Sequence, residues 1–187
     1  KTREQWRRDL GLDPGAPAIL SVARKSAAKR YDLVVAAVEK LRASHPGATL
    51  VLVGPDEDRR PVDSPAVVYT GPMKDADLHE AYCGADVFAM MSESESFGMV
   101  YVEAWLRGLP VVGNRWCGPV ASLIDHGRDG FLASGVDDLA AALDRLVSNA
   151  ELRLEFGRAG KTKTLRDHTW RSCAARVAMA LHERVFE

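Results

Sequence analysis

The 187-residue sequence has no apolar run that approaches the roughly 18 residues of a membrane-spanning helix. Its first residues, KTREQWRRDLG, are charged and do not resemble a secretory signal. Net charge is also nearly absent, since 25 lysines and arginines face 26 aspartates and glutamates, for a formal charge of -1. We therefore expect a cytoplasmic protein with no strong attraction to nucleic acid or to an anionic membrane.

Metal-binding and redox patterns are missing as well. The three cysteines form no Cys-x-x-Cys pair, which is typical of reduced thiols in a cytosolic protein. The five histidines show no His-x3-His or similar ligand spacing. The acidic triplet from Asp56 to Asp58 precedes an Arg-Arg-Pro loop with little apolar support, so we interpret it as a solvated turn. These absences predict that the chain has no metal site.

Several nucleotide-binding and catalytic motifs are absent. No Gly-x-Gly-x-x-Gly follows the first predicted strand, which argues against a dinucleotide-dependent dehydrogenase. No Gly-x4-Gly-Lys-[Ser/Thr] occurs, which excludes a P-loop nucleotidase. Ser94 and Ser96 lack a nucleophile-elbow setting. A nucleotide site in this chain would have to use other residues.

Short apolar runs alternate with segments of helical periodicity along the chain. The predicted strands are AILSV, TLVLVG, AVVYT, DVFAMM, PVVG and GFLA. Runs that are apolar on both faces, such as TLVLVG, suit strands buried between helices in a parallel sheet. The pattern predicts an α/β protein with one doubly wound, Rossmann-like parallel sheet of about six strands, formed by a single domain over residues 1–187.

Two of the predicted helices have distinctive features. One follows Asp75, which we expect to be its N-cap. The other covers residues 169–185 and has the spacing of a long amphipathic helix. Its apolar stripe consists of Trp170, Ala174, Val177 and Leu181.

The segment SESESFGMVYVEAWLRGLPVV leaves the carboxyl end of a predicted strand, where ligands of doubly wound sheets bind. Glu95 lies in the loop, and Glu103 lies about one turn into the following helix. Phe97 and Gly98 stand between them. Free N–H groups near Gly98 and Met99 would favour a phosphate at the helix N-terminus. This arrangement predicts that both carboxylates line one ligand.

This segment resembles the Glu-x7-Glu motif of retaining, two-domain (GT-B) glycosyltransferases of glycosyltransferase family 4. The likeness extends over nearly the whole chain, as the C-terminal domain of such an enzyme. The resemblance implies that Glu103 hydrogen-bonds the ribose of a nucleoside diphosphate sugar. It also implies that Glu95 and the backbone of residues 97–99 contact the transferred sugar and the diphosphate. The matching residues are Glu95, Phe97, Gly98, Glu103, Ala104, Gly108, Pro110 and Val111.

A second group of residues follows the first strand, in SVARKSAAKR. Arg24 and Lys29 match an arginine and a lysine of the family, and the resemblance implies that they stabilise the departing diphosphate without a metal. Arginine offers a bidentate fork for this task and lysine a compact point charge. We interpret Lys25 and Arg30 as a solubilising basic surface. Ala23 and Arg30 stand where the family has glycine.

The next two predicted strands end in Gly54 and Gly71, which would let the backbone approach a ligand closely. The resemblance implies that Pro72 and Met73 border the nucleobase. Ordinary turn glycines explain Gly54 and Gly71 equally well, so both interpretations stay open.

Two further positions depart from the family. Trp105 replaces a methionine, and we expect it in the core. Ser122 stands near the position of a glutamate, and this change would affect contacts on the acceptor side.

The resulting hypothesis is the donor-binding domain of a metal-independent retaining glycosyltransferase that uses a UDP- or GDP-sugar and no cofactor. Its partners would be the donor and an N-terminal acceptor domain that precedes Lys1, and any peripheral membrane contact would arise through that domain. Without it we expect weak donor binding and little or no transfer. Two alternatives stay open: half of a sugar-nucleotide epimerase, and a non-catalytic doubly wound interaction module.

Overall fold

The computed structural model describes residues 1–185, with residues 180–185 described by their backbone alone. Within this part of the chain the strands are β1 (Ala18–Val22), β2 (Thr49–Val53), β3 (Val67–Gly71), β4 (Val87–Met90), β5 (Val111–Asn114) and β6 (Gly130–Ala133). They form one parallel sheet in the order β3-β2-β1-β4-β5-β6. The chain runs from the centre to one edge and then returns to build the other half, so the order reverses between β1 and β4.

Helices cover both faces of the sheet. They are α1 (Arg3–Asp9), α2 (Tyr31–Leu41), α3 (Asp75–Gly84), α4 (Met99–Leu106), α5 (Gly118–Leu123), α6 (Val136–Ser148), α7 (Ala150–Asp167) and α8 (Trp170–Val185). The prediction of Asp75 as the N-cap of α3 is wrong. Lys74 is the N-cap, and Asp75 lies in the first turn, where its charge interacts favourably with the helix dipole.

Side chains of consecutive strand residues enter different cores, because they point to opposite faces of the sheet. Leu20 and Phe88 join a cluster with Trp105 and residues of α3 and α5. Ile19 and Ala89 join the second cluster, together with residues of α2 and α6. The predicted doubly wound α/β fold is confirmed, and so is the prediction of a buried Trp105, which is 0% exposed.

Glycines allow very close packing between α7 and the segment of α4. A Cβ atom at Gly157 would lie 1.9 Å from the carbonyl oxygen of Gly108, just after α4. A Cβ atom at Gly160 would lie 2.0 Å from the indole of Trp105. Since real Cβ atoms do not approach other atoms so closely, a larger residue at either position would force the two helices apart.

A buried ion pair fixes α1 to the rest of the domain. Arg7 is 2% exposed, and its guanidinium donates to Asp86 at 2.7 Å and to the carbonyl oxygens of Gly84, Pro14 and Ala16. Burial alone would raise the pKa of Asp86, but hydrogen bonding to Ala18 and the nearby arginines lower it. Every charged atom of this pair therefore has partners, which a buried ion pair requires.

The last helix, α8, has the predicted length, but the described side chains of its apolar stripe are exposed. Trp170 is 94% exposed and Val177 is 60% exposed. Ala174 is exposed as well, and the side chain of Leu181 lies outside the described residues. None of the helices described is both long and apolar enough to cross a membrane.

Candidate functional site

A cleft of about 310 Å³ opens at the carboxyl ends of β1 and β4, where the strand order reverses. Doubly wound sheets bind their ligands at this point, because the helices that follow the two strands, α2 and α4, pack on opposite faces of the sheet. The cleft brings together six of the predicted site residues, one of them a buried glycine. Its lining is Val22, Ala23, Arg24, Lys29, Met90, Glu95, Ser96, Phe97, Gly98, Met99 and Val100.

Lys29 and Glu95 form an ion pair across this cleft. The Lys29 Nζ lies 2.5 Å from the Glu95 Oε1, and the side chains are 17% and 13% exposed. The loops that carry them are also joined by their backbones, since the N–H of Glu93 donates to the carbonyl of Ala28 at 2.9 Å. One cation and one carboxylate therefore face the same space from the loops that follow β1 and β4.

Arg24 lies on the same cleft but is held much more loosely. Its Nη1 lies 3.0 Å from the Glu57 Oε1, and the two side chains are 65% and 42% exposed. An exposed pair of this kind contributes about 0–1 kcal/mol, so little free energy opposes the movement of Arg24 to another anion.

The N-terminus of α4 lines the same cleft as the two cations. Gly98 is the N-cap and adopts a left-handed conformation (φ 89°), and no described side chain caps this end of the helix. A Cβ at Gly98 would lie 2.9 Å from the ring of Tyr101. The first N–H groups of α4 and the positive end of its dipole can therefore interact with an anion. Phe97 and Met99, at the rim, are 40% and 58% exposed.

Glu103 does not share the pocket that Glu95 lines. It lies one turn beyond Met99, on a neighbouring pocket of about 200 Å³ between α3 and α4. The hydroxyl of Tyr82 donates to the Glu103 Oε2 at 2.9 Å. Glu95 and Glu103 therefore line two separate pockets, which share no lining residue.

Pro72 and Met73 lie on a third pocket of about 300 Å³, which Trp6, Leu10 and Thr70 also line. Gly71 precedes them with a left-handed backbone (φ 70°) and open space around its Cα. The structure therefore separates these residues from the Lys29–Glu95 cleft.

Gly54 is required by packing within the chain. It has a φ of 140°, and a Cβ there would lie 1.8 Å from the carbonyl oxygen of Ala23. The close approach that this glycine allows is therefore to the loop after β1, and no open space for a ligand is needed to explain it.

The interpretation of Lys25 as a solubilising residue is wrong. Lys25 is 1% exposed, and its Nζ lies 2.7 Å from Asp56, 2.5 Å from Asp58 and 2.6 Å from the carbonyl of Arg60. Tyr31 donates its hydroxyl to the other oxygen of Asp58 at 2.8 Å. The acidic triplet is therefore not simply a solvated turn, because two of its carboxylates enclose a buried ammonium group.

Arg30 also has a structural role that the sequence interpretation missed. It adopts a left-handed backbone with a φ of 45°. The family that the sequence resembles has glycine at this position. Its guanidinium binds Asp32 at 3.1 Å and Glu93 at 2.7 Å. These ion pairs hold a residue with a Cβ in a conformation that glycine adopts more easily.

Two residues of the site region were not predicted, Glu57 and Tyr82, which contact Arg24 and Glu103. For Glu57 the sequence contained a signal, since parallel neighbours β1 and β2 bring the loops after them together. Ser122 is exposed on α5. Within the described residues, no group of three or more His, Cys, Asp or Glu side chains is arranged to hold a metal ion.

The sequence and the fold are similar to those of glycosyl transferases. The sequence model of the family described as Glycosyl transferases group 1 matches residues 2–163. The sulfoquinovosyl transferase SQD2 of Arabidopsis thaliana is 31% identical over 175 residues, which cover 88% of this chain and 33% of that protein. The chain spans about half the length, or less, of the curated relatives it matches.

Solved structures show the same fold. HepE of Anabaena, in complex with UDP-glucose, has a TM-score of 0.82 at 22% identity over 97% of this chain and 52% of that one. The C-terminal domain of LpcC, a glycosyl transferase group 1 family protein of Francisella tularensis, has a TM-score of 0.77 at 20% identity. That comparison covers 91% of this chain and 94% of the other. Since the family match covers most of the residues, the chain belongs to the group 1 glycosyl transferases.

Proposed function

We propose that this chain is the donor-binding domain of a retaining glycosyltransferase. The observation that carries the proposal is the cleft between β1 and β4, in which Arg24, Lys29 and the N-terminus of α4 surround one space with Glu95. Two cations and a helix N-terminus suit the diphosphate of a nucleotide sugar, and a carboxylate suits the hydroxyl groups of the sugar. The bound UDP-glucose of the similar HepE structure agrees with a ligand of this class.

In the proposed reaction, the bond between the anomeric carbon and the diphosphate oxygen breaks while the acceptor oxygen bonds to the same carbon. The proton of the acceptor hydroxyl passes to the departing diphosphate. Arg24 and Lys29 stabilise the negative charge that develops on the diphosphate, so that the chain needs neither a metal ion nor a cofactor. Glu95 positions the sugar, and no side chain forms a covalent intermediate.

The proposed site extends beyond this cleft. Glu103 would accept hydrogen bonds from the ribose, and Pro72 and Met73 would border the base. Met99 and Glu103 are four residues apart on α4 and so share a helix face, which supports a ligand that runs along this face. The acceptor site and any contact with a membrane would belong to an N-terminal domain outside this sequence. We expect this chain alone to bind donor weakly and to transfer little sugar.

The family match favours this proposal over the two alternatives, an epimerase half and an interaction module without a ligand. Calorimetry of the full-length protein with UDP and with GDP tests donor binding and identifies the base. Binding of one diphosphate in the presence of EDTA supports the proposal. If neither nucleotide binds, the donor-binding role is wrong.

Arg24→Ala in the full-length enzyme tests the role of the cations. Removing one group that stabilises transition-state charge lowers turnover by about 10²- to 10³-fold. Arg158→Ala, at an exposed position of α7, is the matched control and should leave turnover unchanged. Near-normal turnover of Arg24→Ala would contradict the proposal. The anomeric configuration of the product, read by NMR, tests retention, and an inverted product would refute that part.

A further inference from the structure

Tyr82 is a buried tyrosine whose only polar group contacts a proposed site residue. It lies on α3 and is 4% exposed. Its ring packs in the core against Phe88 of β4, with ring centroids 6.1 Å apart. Because the ring is fixed by the core, the position of its hydroxyl is fixed as well.

The hydroxyl of Tyr82 donates to the Oε2 of Glu103 at 2.9 Å. No other hydrogen bond or ion pair to the Glu103 carboxylate is formed by the side chains that the structure describes. A carboxylate has two oxygens that accept hydrogen bonds, so the Oε1 of Glu103 keeps its full capacity for a ligand.

The pKa of the Tyr82 hydroxyl keeps this group protonated, so that it remains a hydrogen-bond donor. Burial raises the pKa of the Tyr82 hydroxyl, and the negative charge of Glu103 raises it further. The hydroxyl therefore carries its proton throughout the physiological pH range and can always donate to the carboxylate.

A free glutamate side chain loses rotamer entropy when a ligand orders it. A carboxylate that is already held by one oxygen avoids much of this loss. We propose that Tyr82 is a positioning residue, which orients Glu103 so that its second oxygen accepts hydrogen bonds from the ribose hydroxyls of the nucleotide donor. The inference rests on the proposed function and adds the residue that orients Glu103 towards the ribose hydroxyls.

Tyr82→Phe in the full-length protein tests the inference, because it removes only the hydroxyl. The measurement is the ratio of the dissociation constants of 2′,3′-dideoxy-UDP and UDP, by calorimetry (with the guanosine analogues if GDP is the nucleotide that binds). Wild-type protein should prefer UDP. Tyr82→Phe should reduce this preference about three- to tenfold, through weaker UDP binding with dideoxy-UDP binding unchanged. Equal weakening of both ligands would overturn the inference.

Tyr101→Phe is the matched control. Tyr101 is also buried, and its hydroxyl donates to the carbonyl oxygen of Met90 at 2.9 Å rather than to Glu103. This variant should lose stability but keep the preference of wild-type protein for UDP. A reduced preference in Tyr101→Phe equal to that in Tyr82→Phe would assign the effect to general destabilisation and overturn the inference.

Glu103→Ala separates this inference from the proposed function. If Glu103→Ala retains the full preference for UDP, Glu103 does not contact the ribose and that part of the proposed function fails. If Glu103→Ala loses the preference but Tyr82→Phe keeps it, only the positioning role fails. The double variant provides a further readout, since Tyr82→Phe should have no effect on UDP binding once Glu103 is alanine. Additive losses would overturn the inference even if Tyr82→Phe is poorly stable.

Discussion

Lys25 and Lys29 lie four residues apart in one loop, and the structure uses their charges in opposite ways. Lys25 is 1% exposed and has three oxygen acceptors within 2.7 Å. Lys29 has one carboxylate partner, Glu95, and faces an open cleft. A buried ammonium group whose donors are all used stabilises a fold. A half-buried one with a single partner can still bind a ligand. The number of partners thus separates the structural cation from the candidate functional one.

The largest expected effect that tests this comparison is on stability. Lys25→Ala leaves Asp56 and Asp58 with no buried counter-charge, so we expect the free energy of unfolding to fall by about 3–5 kcal/mol. Urea unfolding followed by circular dichroism measures it. Lys161→Ala, at an exposed position of α7, is the control and should change stability by less than about 0.5 kcal/mol. A similarly small effect for Lys25→Ala would remove the distinction between the two lysines.

The second effect should appear in turnover. Lys29→Ala in the full-length enzyme should lower kcat by about 10²- to 10³-fold, because one of two cations that stabilise the departing diphosphate is lost. Its free energy of unfolding should change by less than about 1 kcal/mol, since water in the cleft can solvate Glu95. A large loss of stability with normal turnover would mean that Lys29, like Lys25, has a structural role and not a catalytic one.

A smaller effect should depend on pH. Burial alone would raise the pKa of Asp58, but hydrogen bonds from Lys25, from the N–H of Arg60 and from Tyr31 lower it to about 2, below its ordinary 3.8. The ionised carboxylate therefore stabilises the fold above about pH 4, and this contribution is lost as the pH falls towards 2. Asp58→Asn should cost about 1.5–3 kcal/mol at pH 7.

The difference between wild-type protein and Asp58→Asn should shrink as the pH falls from 4 to 2. Unfolding curves of both proteins at several pH values measure it. A difference that stays constant over this range would show that the ionisation of Asp58 contributes nothing to the stability of the Lys25 cluster.

Most of the fold follows from local patterns in the sequence. Each predicted strand is a short apolar run. Strands buried between two helical layers are apolar on both faces, so they can be predicted from the sequence without knowledge of the tertiary structure. The exposed stripe of α8 shows the limit of this reasoning. Trp170 and Val177 have the spacing of a packed face, but spacing does not reveal what the face packs against.

The site was predictable where its residues follow strand ends and not where it depends on distant partners. Lys29 and Glu95 are 66 residues apart, and the adjacency of β1 and β4 brings them together. The partners of Lys25 and Glu103 were missed, because Asp58 and Tyr82 are selected by the paths of loops and helices rather than by sequence spacing. Lys25 follows β1 and Asp58 follows its parallel neighbour β2. A basic residue and an acidic residue in these positions are a signal that could identify the pair.

The glycine contacts between α7 and the segment of α4 have a consequence for how a ligand is captured. Gly157 and Gly160 let α7 pack directly against the C-terminal end of α4, so we expect the N-terminus of α4 to keep one position whether or not an anion is bound. Binding at such a preformed surface spends no free energy on rearranging the helix. We therefore expect the observed rate of nucleotide association to rise linearly with nucleotide concentration, without the plateau that a slow conformational step would impose.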